Sequence, residues 1–142
     1  MRFMIIVKAT TESEAESGPA GDAPDDALMA EMTAYHEELQ RAGVLLDGNG
    51  LKPSAKGFRI RYDGARRTVM DGPFAEVKEL IAGYTLIEVT SRDEALEWAR
   101  RFPNPNGQGK PAEIEIRELY ELEDFGPEGA ERLRAVGVGG KH

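Results

Sequence analysis

The sequence predicts an α+β protein, a ferredoxin-like sandwich with a mainly antiparallel sheet, whose subunits pair into a dimeric α/β barrel. The first observation is the order of elements, because strand–helix–strand occurs twice, with a hairpin and a short helix between the two units. The second is that both long helical segments are apolar on one side, so both are expected on the same face of the sheet. The third is a surplus of large apolar strand residues, which predicts a second copy stacked on the other face.

The first third of the chain is predicted to form a buried strand, an acidic loop and a long helix. Arg2–Lys8 is apolar between its charged ends, which is typical of a central strand. Residues 10–26 are acidic and small, without an aromatic or large aliphatic anchor, so this loop is either flexible or a functional lid. From Asp26 onward apolar residues recur at helical spacing, and Gly43 provides a left-handed stop.

The middle of the chain is predicted to form a short strand, a bend and a hairpin. Val44–Leu46 begins the strand, and the run Asp47–Gly50 favours the bend. Residues 57–62 alternate between apolar residues and arginine, and they pair with residues 66–70 across a turn at Asp63-Gly64.

The last part of the chain is predicted to form a second strand–helix–strand unit. It consists of a strand at 83–89, a helix opened by a capping box of Ser91 and Glu94, and an alternating strand at 112–119. We therefore expect a ferredoxin-like domain over residues 1–125, followed by a short helix and a flexible tail over residues 126–142. Large apolar residues expected on the sheet face away from the helices are Phe58, Ile60, Tyr62, Ile114 and Ile116.

Length and composition fit one globular domain and exclude several classes of function. The chain has 142 residues, of which 40% are hydrophobic and 31% charged. Its net charge of −8 argues against nucleic acid and anionic membranes as partners, since both attract lysine and arginine. Cysteine is absent, which excludes disulfides and Cys-ligated zinc. The apolar start is too short for a signal sequence and no run is long enough to span a bilayer, so we expect a cytoplasmic protein.

The segment Asp71–Glu79, with the sequence DGPFAEVKE, is the most distinctive in the chain. Gly72 and Pro73 predict a sharp corner that ends the hairpin and opens a short helix. Asp71 then has two interpretations: it caps the exposed amides of that helix, or it faces a pocket at whose mouth the corner lies. Glu79 likewise either faces the pocket or belongs to a solvated helix.

With this motif followed by Gly83-Tyr84, the chain resembles the DGPF branch of the YCII-related family. Further matches are the opening MRFMI strand, AGVL at 42–45, GLKP at 50–53 and DEALEW at 93–98, so the resemblance covers about residues 1–120. It implies a dimeric α/β barrel of ferredoxin-like subunits. Members of this branch are often encoded beside extracytoplasmic-function sigma factors, which implies a regulatory role with a sigma factor as partner.

The resemblance also implies a candidate catalytic pair, His36 with Asp71. The broader family contains a cofactor-free dehydrochlorinase and is thought to use a histidine–aspartate pair. The helix position at which such members place histidine is Met32 in this chain, and His36 lies one turn further on. In contact with Asp71, the imidazole of His36 would be held in one tautomer and made more basic, as in a general base. Without that contact, His36 is a residue of the core or its rim.

We expect further side chains around a pocket for a small-molecule ligand. Asn49 lies in a Gly-Asn-Gly bend, where it either presents its amide to a ligand or only tolerates left-handed geometry. Lys52, Arg59 and Arg61 either line the dimer cavity or are solvated at the surface. No metal-ligand spacing is present, so we expect neither a metal nor a cofactor. The expected ligand-binding residues are Glu79, Tyr84, Asn49, Tyr35 and Phe74.

Two functions fit these features. One is a small-molecule-binding, regulatory homodimer that works with a sigma factor. The other is a cofactor-independent lyase or isomerase that acts on a small organic acid or phenol by acid–base catalysis. A hydrogen bond between His36 and Asp71 favours the enzyme, whereas side chains on opposite sides of the sheet exclude the pair.

Overall fold

The computed structural model describes residues 1–15 and 26–140. Its strands in this part of the chain are β1 (Arg2–Lys8), β2 (Leu45–Gly50), β3 (Phe58–Asp63), β4 (Arg66–Asp71), β5 (Ile81–Glu88) and β6 (Ile114–Glu118). Its α-helices are α1 (Thr11–Glu14), α2 (Asp26–Arg41), α3 (Arg92–Arg100) and α4 (Gly126–Ala135). Short 3₁₀ turns lie at Ser54–Lys56, Val77–Glu79 and Leu122–Phe125. No described helix combines the length and the apolar character needed to cross a membrane.

Four of the strands form one antiparallel sheet in the order β2–β5–β1–β6. Helix α2 connects β1 to β2, and α3 connects β5 to β6. This order and these two crossovers are those of a ferredoxin-like fold, so the predicted α+β class is confirmed. The strands β3 and β4 pair only with each other and form a separate hairpin inserted between β2 and β5.

The hydrophobic core lies between one face of this sheet and the two long helices. Ile5 and Ile87 of the central strands and Leu39 of α2 are completely buried. Tyr35 is also buried, and its hydroxyl donates to the carbonyl oxygen of Trp98 at 2.6 Å, which ties α2 to α3. Both helices therefore cover the same face, as their apolar patterns predict. The remaining members of the buried cluster are Phe3, Val44, Val89 and Ala95.

Strand alternation divides the sheet residues between the core and the opposite side. In β1, Phe3 and Ile5 are buried against the helices, whereas Met4 and Ile6 point the other way and are partly exposed. We call the side opposite α2 and α3 the second face. The C-terminal segment covers it at one end, where the guanidinium of Arg2 donates to the carboxylate of Glu121 and to two backbone carbonyl oxygens. Residues that point to the second face include Met4, Ile6, Tyr84 and Leu86.

The assignment of Ile114 and Ile116 to the second face was wrong. They pair with Val7 and Ile5, and both pack against the helix-side core. Their neighbour Glu115 points to the second face instead, where its carboxylate binds Lys8 at 2.9 Å and Arg117 at 3.2 Å. The apolar surface of the second face is thus supplied by the central strands rather than by β6.

The hairpin turns one residue later than predicted. Asp63 pairs with Arg66, so the two turn residues are Gly64 and Ala65, and Gly64 has the positive φ of 61° that such a turn requires. Every hairpin residue except Met70 is exposed. The hairpin is therefore a separate arm rather than part of the main sheet.

The first residues of the predicted acidic loop form an ordered contact. Thr10 caps α1 through a hydrogen bond from the Ser13 amide, at 3.0 Å. From the end of α1, the carboxylate of Glu14 accepts hydrogen bonds from the amide and the hydroxyl of Ser54. Residues 16–25 of that loop lie outside the described part of the chain.

The corner at Asp71–Glu79 is built on a close backbone contact. A Cβ atom on Gly72 would lie 1.9 Å from the carbonyl oxygen of Ser54, so this position accepts only glycine. The Ser54 hydroxyl accepts a hydrogen bond from the Phe74 amide at 3.1 Å, which holds the chain beyond the corner. The short helix begins later than predicted, at Val77, and no side chain caps it. The interpretation of Asp71 as its cap was therefore wrong.

Helix α3 begins at the predicted cap, and contacts near its end join it to α2. The Ser91 hydroxyl accepts from the Glu94 amide at 3.1 Å, while the Glu94 carboxylate accepts from the amide and hydroxyl of Thr90. Arg101 pairs with Glu38 of α2, and its guanidinium lies over the Trp98 ring. The structure thus uses Arg101 to join the two helices.

We predict that Gly72→Ala destabilises the protein, because the added methyl group collides with the Ser54 carbonyl. The expected loss in free energy of unfolding is about 1–3 kcal/mol, measured by urea denaturation. Gly57→Ala is the matched control, since its Cβ would lie 3.6 Å from the same oxygen, an ordinary contact. Equal stability of the two variants would contradict the close approach at Gly72.

We predict that Glu94 stabilises α3 in a pH-dependent way. The Thr90 amide and, secondly, the Thr90 hydroxyl hold the pKa of Glu94 below its ordinary value of 4.5. Because the pKa is lower in the folded state, the stabilisation is complete above the unfolded value and is lost as the pH falls through the folded value. The difference in unfolding free energy between wild type and Glu94→Gln should therefore be largest near neutral pH and shrink in acid. Glu97→Gln, which removes a carboxylate from an exposed position on the same helix, is the control. An equal trend in the two variants would contradict the role of the Thr90 contact.

Candidate functional site

Three polar side chains meet on the second face of the sheet, and we call them the polar cluster: Asp47, Asn49 and Tyr84. The Tyr84 hydroxyl donates to the Asp47 carboxylate at 3.2 Å. The Asn49 amide donates to the Tyr84 oxygen at 3.0 Å and to both oxygens of Asp47 at 3.2 and 3.3 Å. Asp47 and Asn49 are exposed and Tyr84 is partly exposed, so a ligand can reach all three.

A β-bulge brings Asp47 to this face. Leu45 pairs with Ile87 on the core side, and the register shifts before Asp47, which pairs with Leu86 on the second face. Residues two positions apart on a regular strand point to the same face, so without the bulge Asp47 would point to the core side with Leu45. The bulge turns Asp47 to the second face. The predicted bend at 47–50 is instead the continuation of β2 along β5.

Glycines allow β2 and β5 to approach each other beside the polar cluster. A Cβ atom on Gly83 would lie 2.9 Å from the carbonyl oxygen of Asn49, closer than side chains normally come. On the second face, Ile6 pairs with Tyr84 and adds an apolar surface next to the polar atoms. The cluster thus offers a carboxylate, an amide and a phenol beside a hydrophobic strip.

His36 lies on the other side of the sheet, between α2 and β5. Its Nδ1 is 2.7 Å from the Met32 carbonyl oxygen, and because a carbonyl only accepts, Nδ1 carries the proton. Its Nε2 is 2.8 Å from the hydroxyl of Thr85, which is 3% exposed. In the neutral tautomer Nε2 accepts from this hydroxyl, so both ring nitrogens have structural partners.

Asp71 is the last residue of β4, on the hairpin, where it pairs with Phe58 and is exposed. No hydrogen bond joins it to His36 among the described residues, because both imidazole nitrogens are bonded to Met32 and Thr85. The predicted contact is therefore not made within this chain. The catalytic role of these two residues stays a prediction.

The other predicted ligand residues divide into two groups. Asn49 and Tyr84 come together in the polar cluster. Tyr35 is part of the core, where burial is the main cause that raises the pKa of its phenol above the ordinary value. Phe74 lies at the corner, with its ring centroid 3.8 Å from the guanidinium carbon of Arg59. Glu79 is exposed on the turn that follows.

Sequence reasoning missed Asp47 as a site residue. Its alternation with Asn49 along one strand is a usable signal, but the glycines around them favoured a bend. It also missed the link between Glu14 and Ser54, for which no local pattern exists. Within the described residues, no group of three or more histidine or acidic side chains is arranged to hold a metal.

An open cleft between α3 and β6 has a volume of about 190 Å³, and its lining includes Phe102, Asn104 and Ile114. The Asn104 amide nitrogen donates to the Lys110 carbonyl, and its oxygen accepts from the Asn106 amide. The polar groups of Asn104 are therefore used to hold the loop together. The polar cluster remains the better candidate for a ligand.

Comparison with known proteins supports one family. The profile of the YCII-related domain matches residues 1–121. The chain is 35% identical over 96 residues to the uncharacterized protein R00369 of Rhizobium meliloti strain 1021, covering 68% of this chain and 77% of that protein.

Among solved structures, 5-chloro-2-hydroxyhydroquinone dehydrochlorinase from Burkholderia phenoliruptrix AC1100, in complex with 2,5-dihydroxybenzoquinone, aligns with a TM-score of 0.39 and 14% identity. That alignment covers 85% of this chain and 95% of the other. The family assignment rests on the profile match and on the Rhizobium relative. The chain belongs to the YCII-related domain family.

Proposed function

We propose that this protein is a homodimer that binds a small hydroxylated organic molecule at the polar cluster. The observation that carries the proposal is the mutual hydrogen bonding of Asp47, Asn49 and Tyr84 on an accessible sheet face. Polar side chains that converge beside apolar surface are the usual composition of a small-molecule site. The regulatory role with a sigma factor and the cytoplasmic location stay predictions based on the resemblance and the composition.

The charge of the polar cluster indicates which ligands suit it. The Asp47 carboxylate accepts hydrogen bonds and repels anions, so a phenol or another neutral hydroxyl compound is favoured over a carboxylic acid. The Asn49 carbonyl oxygen offers a further acceptor. The partly exposed Ile6 and Leu86 provide apolar contact for a ring.

A second copy would turn this open surface into an enclosed site. A single sheet face is too flat to surround a small molecule, whereas sites for such molecules are concave and bury most of the ligand. The second face also leaves Met4, Ile6 and Leu86 partly exposed to solvent. Stacking two copies through this face would bury these residues and place a polar cluster in each half of the cavity.

The test is a binding titration with hydroquinone as the neutral probe and benzoate as the anionic one. We expect saturable binding of hydroquinone and weaker binding of benzoate. Tyr84→Phe removes one hydrogen-bonding hydroxyl and should weaken hydroquinone binding about fivefold, the equivalent of about 1 kcal/mol. Calorimetry or NMR shift titration provides the measurement.

Tyr120→Phe is the matched control, because Tyr120 is a tyrosine that is 73% exposed, away from the polar cluster. It should bind hydroquinone as the wild type does. Absence of saturable binding of either probe, or equal affinity of the two variants, would overturn the proposed site.

The second candidate is the cofactor-independent lyase or isomerase. The bond between the Tyr84 hydroxyl and the Asp47 carboxylate favours it, because an accessible phenol paired with a carboxylate can move a proton. The predicted pair of His36 and Asp71 would need a rearrangement in which His36 gives up Thr85. Geometry therefore favours Asp47 as the base in such a reaction.

Proton abstraction can be tested by transfer of deuterium from solvent to a ring carbon of hydroquinone, followed by NMR in heavy water. An enzyme of this class should accelerate the exchange, and Asp47→Asn should abolish the acceleration. His36→Ala should leave it unchanged but lower the free energy of unfolding by about 1–3 kcal/mol, because the buried Thr85 hydroxyl loses its partner. Exchange that depends on His36 and not on Asp47 would contradict the assignment of Asp47 as the base. No acceleration of exchange at all would leave binding as the function.

A further inference from the structure

The hairpin β3–β4 needs support that its own subunit does not provide. Its strands pair only with each other, and an isolated two-stranded hairpin is marginally stable in water. It nevertheless carries several large apolar side chains. These are Phe58 at 65%, Ile60 at 39%, Tyr62 at 64% and Val69 at 62% exposure.

In most proteins the apolar face of a hairpin is turned inward, but in this hairpin it is turned outward. Arg59 and Met70 are paired and share one face. At the base of the hairpin this face lies against the subunit itself, since the Arg59 guanidinium stacks on Phe74 and Met70 is partly buried. The other face contains Phe58, Ile60, Tyr62 and Val69, because Ile60 pairs directly with Val69. The apolar face therefore points away from its own subunit, and we call it the outward face.

The size of the outward face is suited to an interface. Its four apolar side chains expose roughly 400 Å², judged from the usual areas of such residues. A standard protein–protein interface buries about 800 Å² on each partner. The outward face thus supplies about half of the area that one partner buries in such an interface. The second face of the sheet is available to supply the remaining area.

The outward face is apolar and close to neutral, which suits a copy of this chain as the partner. Three of the four arginines of the hairpin lie on the other face, so the charged residues of the outward face are Arg67 and Asp71. Arg67 lies over the ring of Tyr62 on the outward face, and within the described residues it makes no ion pair with a carboxylate. A neutral apolar face can pack on an acidic second copy without a buried excess of charge, whereas nucleic acid finds no cluster of basic residues on this face.

We propose that the outward face of the hairpin docks on a second copy of this chain. This inference rests on the proposed homodimer and adds a second contact to it. In a two-fold dimer each copy supplies one arm and receives the other, so the two hairpins together would bury about 800 Å². The arm would then be stabilised by its partner rather than by its own core.

Sedimentation velocity of Val69→Glu and Thr68→Glu tests the proposal. The two positions are adjacent and exposed on the same strand, but they lie on opposite faces of the hairpin. Val69→Glu places a charge in the contact and should raise the dimer dissociation constant about tenfold or more. Thr68→Glu should leave the constant within about twofold of wild type. A dimer that responds equally to both changes, or to neither, contradicts the proposal.

Leu86→Glu separates this inference from the proposed stacking of the second face. Loss of dimer in Leu86→Glu with none in Val69→Glu overturns the hairpin contact and leaves the second-face dimer in place. A wild type that is monomeric up to about 100 µM overturns both the hairpin contact and the proposed homodimer. Hydroquinone binding by the wild type tests the polar cluster, whereas the contrast between Val69→Glu and Thr68→Glu tests the hairpin contact.

The absence of cysteine in the chain allows a second measurement that does not depend on charge. Val69→Cys and Thr68→Cys each provide a single thiol for reaction with a bulky maleimide. When the protein concentration is raised from below to above the dimer dissociation constant, the partner should cover the thiol at 69. That thiol should then react at least about fivefold more slowly. The thiol at 68 should keep its rate, and equal protection at both positions contradicts docking through the outward face.

Discussion

The structure depends on one constraint: α2 and α3 cover only one face of a four-stranded sheet. Every strand residue is therefore assigned to the core or to the second face by the alternation of the strand. Phe3, Ile5 and Ile87 point toward the helices and form the core. Tyr84 and Leu86 necessarily point the other way. The fold thus leaves the large side chains on the second face of the central strands partly exposed.

The candidate site arises where this alternation is interrupted. Without the bulge in β2, Asp47 would follow Leu45 toward the helices, where a carboxylate would be costly to bury. The bulge moves it to the second face, beside Asn49 and Tyr84. On the opposite side of the same strands, His36 and Thr85 satisfy each other. The sheet therefore separates a structural polar pair from an accessible polar cluster.

Local patterns were enough to predict most of the fold. Helical spacing located α2 and α3, the glycine stop at Gly43 has the expected positive φ of 75°, and Ser91 caps its helix as predicted. The other half of the predicted capping box is not formed, because the Glu94 carboxylate bonds Thr90 instead of the Ser91 amide. Alternation located the hairpin but did not say which face of the strand at 112–119 meets the helices. That choice depends on the pairing of Ile116 with Ile5, a contact more than one hundred residues apart in sequence.

The site was harder to predict for the same reason. Asn49 and Tyr84 were identified, but the partner that unites them, Asp47, reaches the second face only through a bulge, which glycine-rich sequences do not distinguish from a bend. His36 was paired with Asp71 because the family resemblance implies a histidine–aspartate pair, with a residue of the core or its rim as the alternative. Its carbonyl and hydroxyl partners come from a preceding helical turn and a distant strand.

The orientation of the hairpin illustrates how a local motif can have a distant consequence. The alternation of Phe58, Ile60 and Tyr62 with arginine predicts two unlike faces, and most proteins would turn the apolar one inward. Here the arm leaves the subunit at Gly72, whose backbone rests directly on Ser54. This contact and the stacking of Arg59 on Phe74 place the arginine face against the corner. The apolar face is consequently directed outward, away from the core of its own chain.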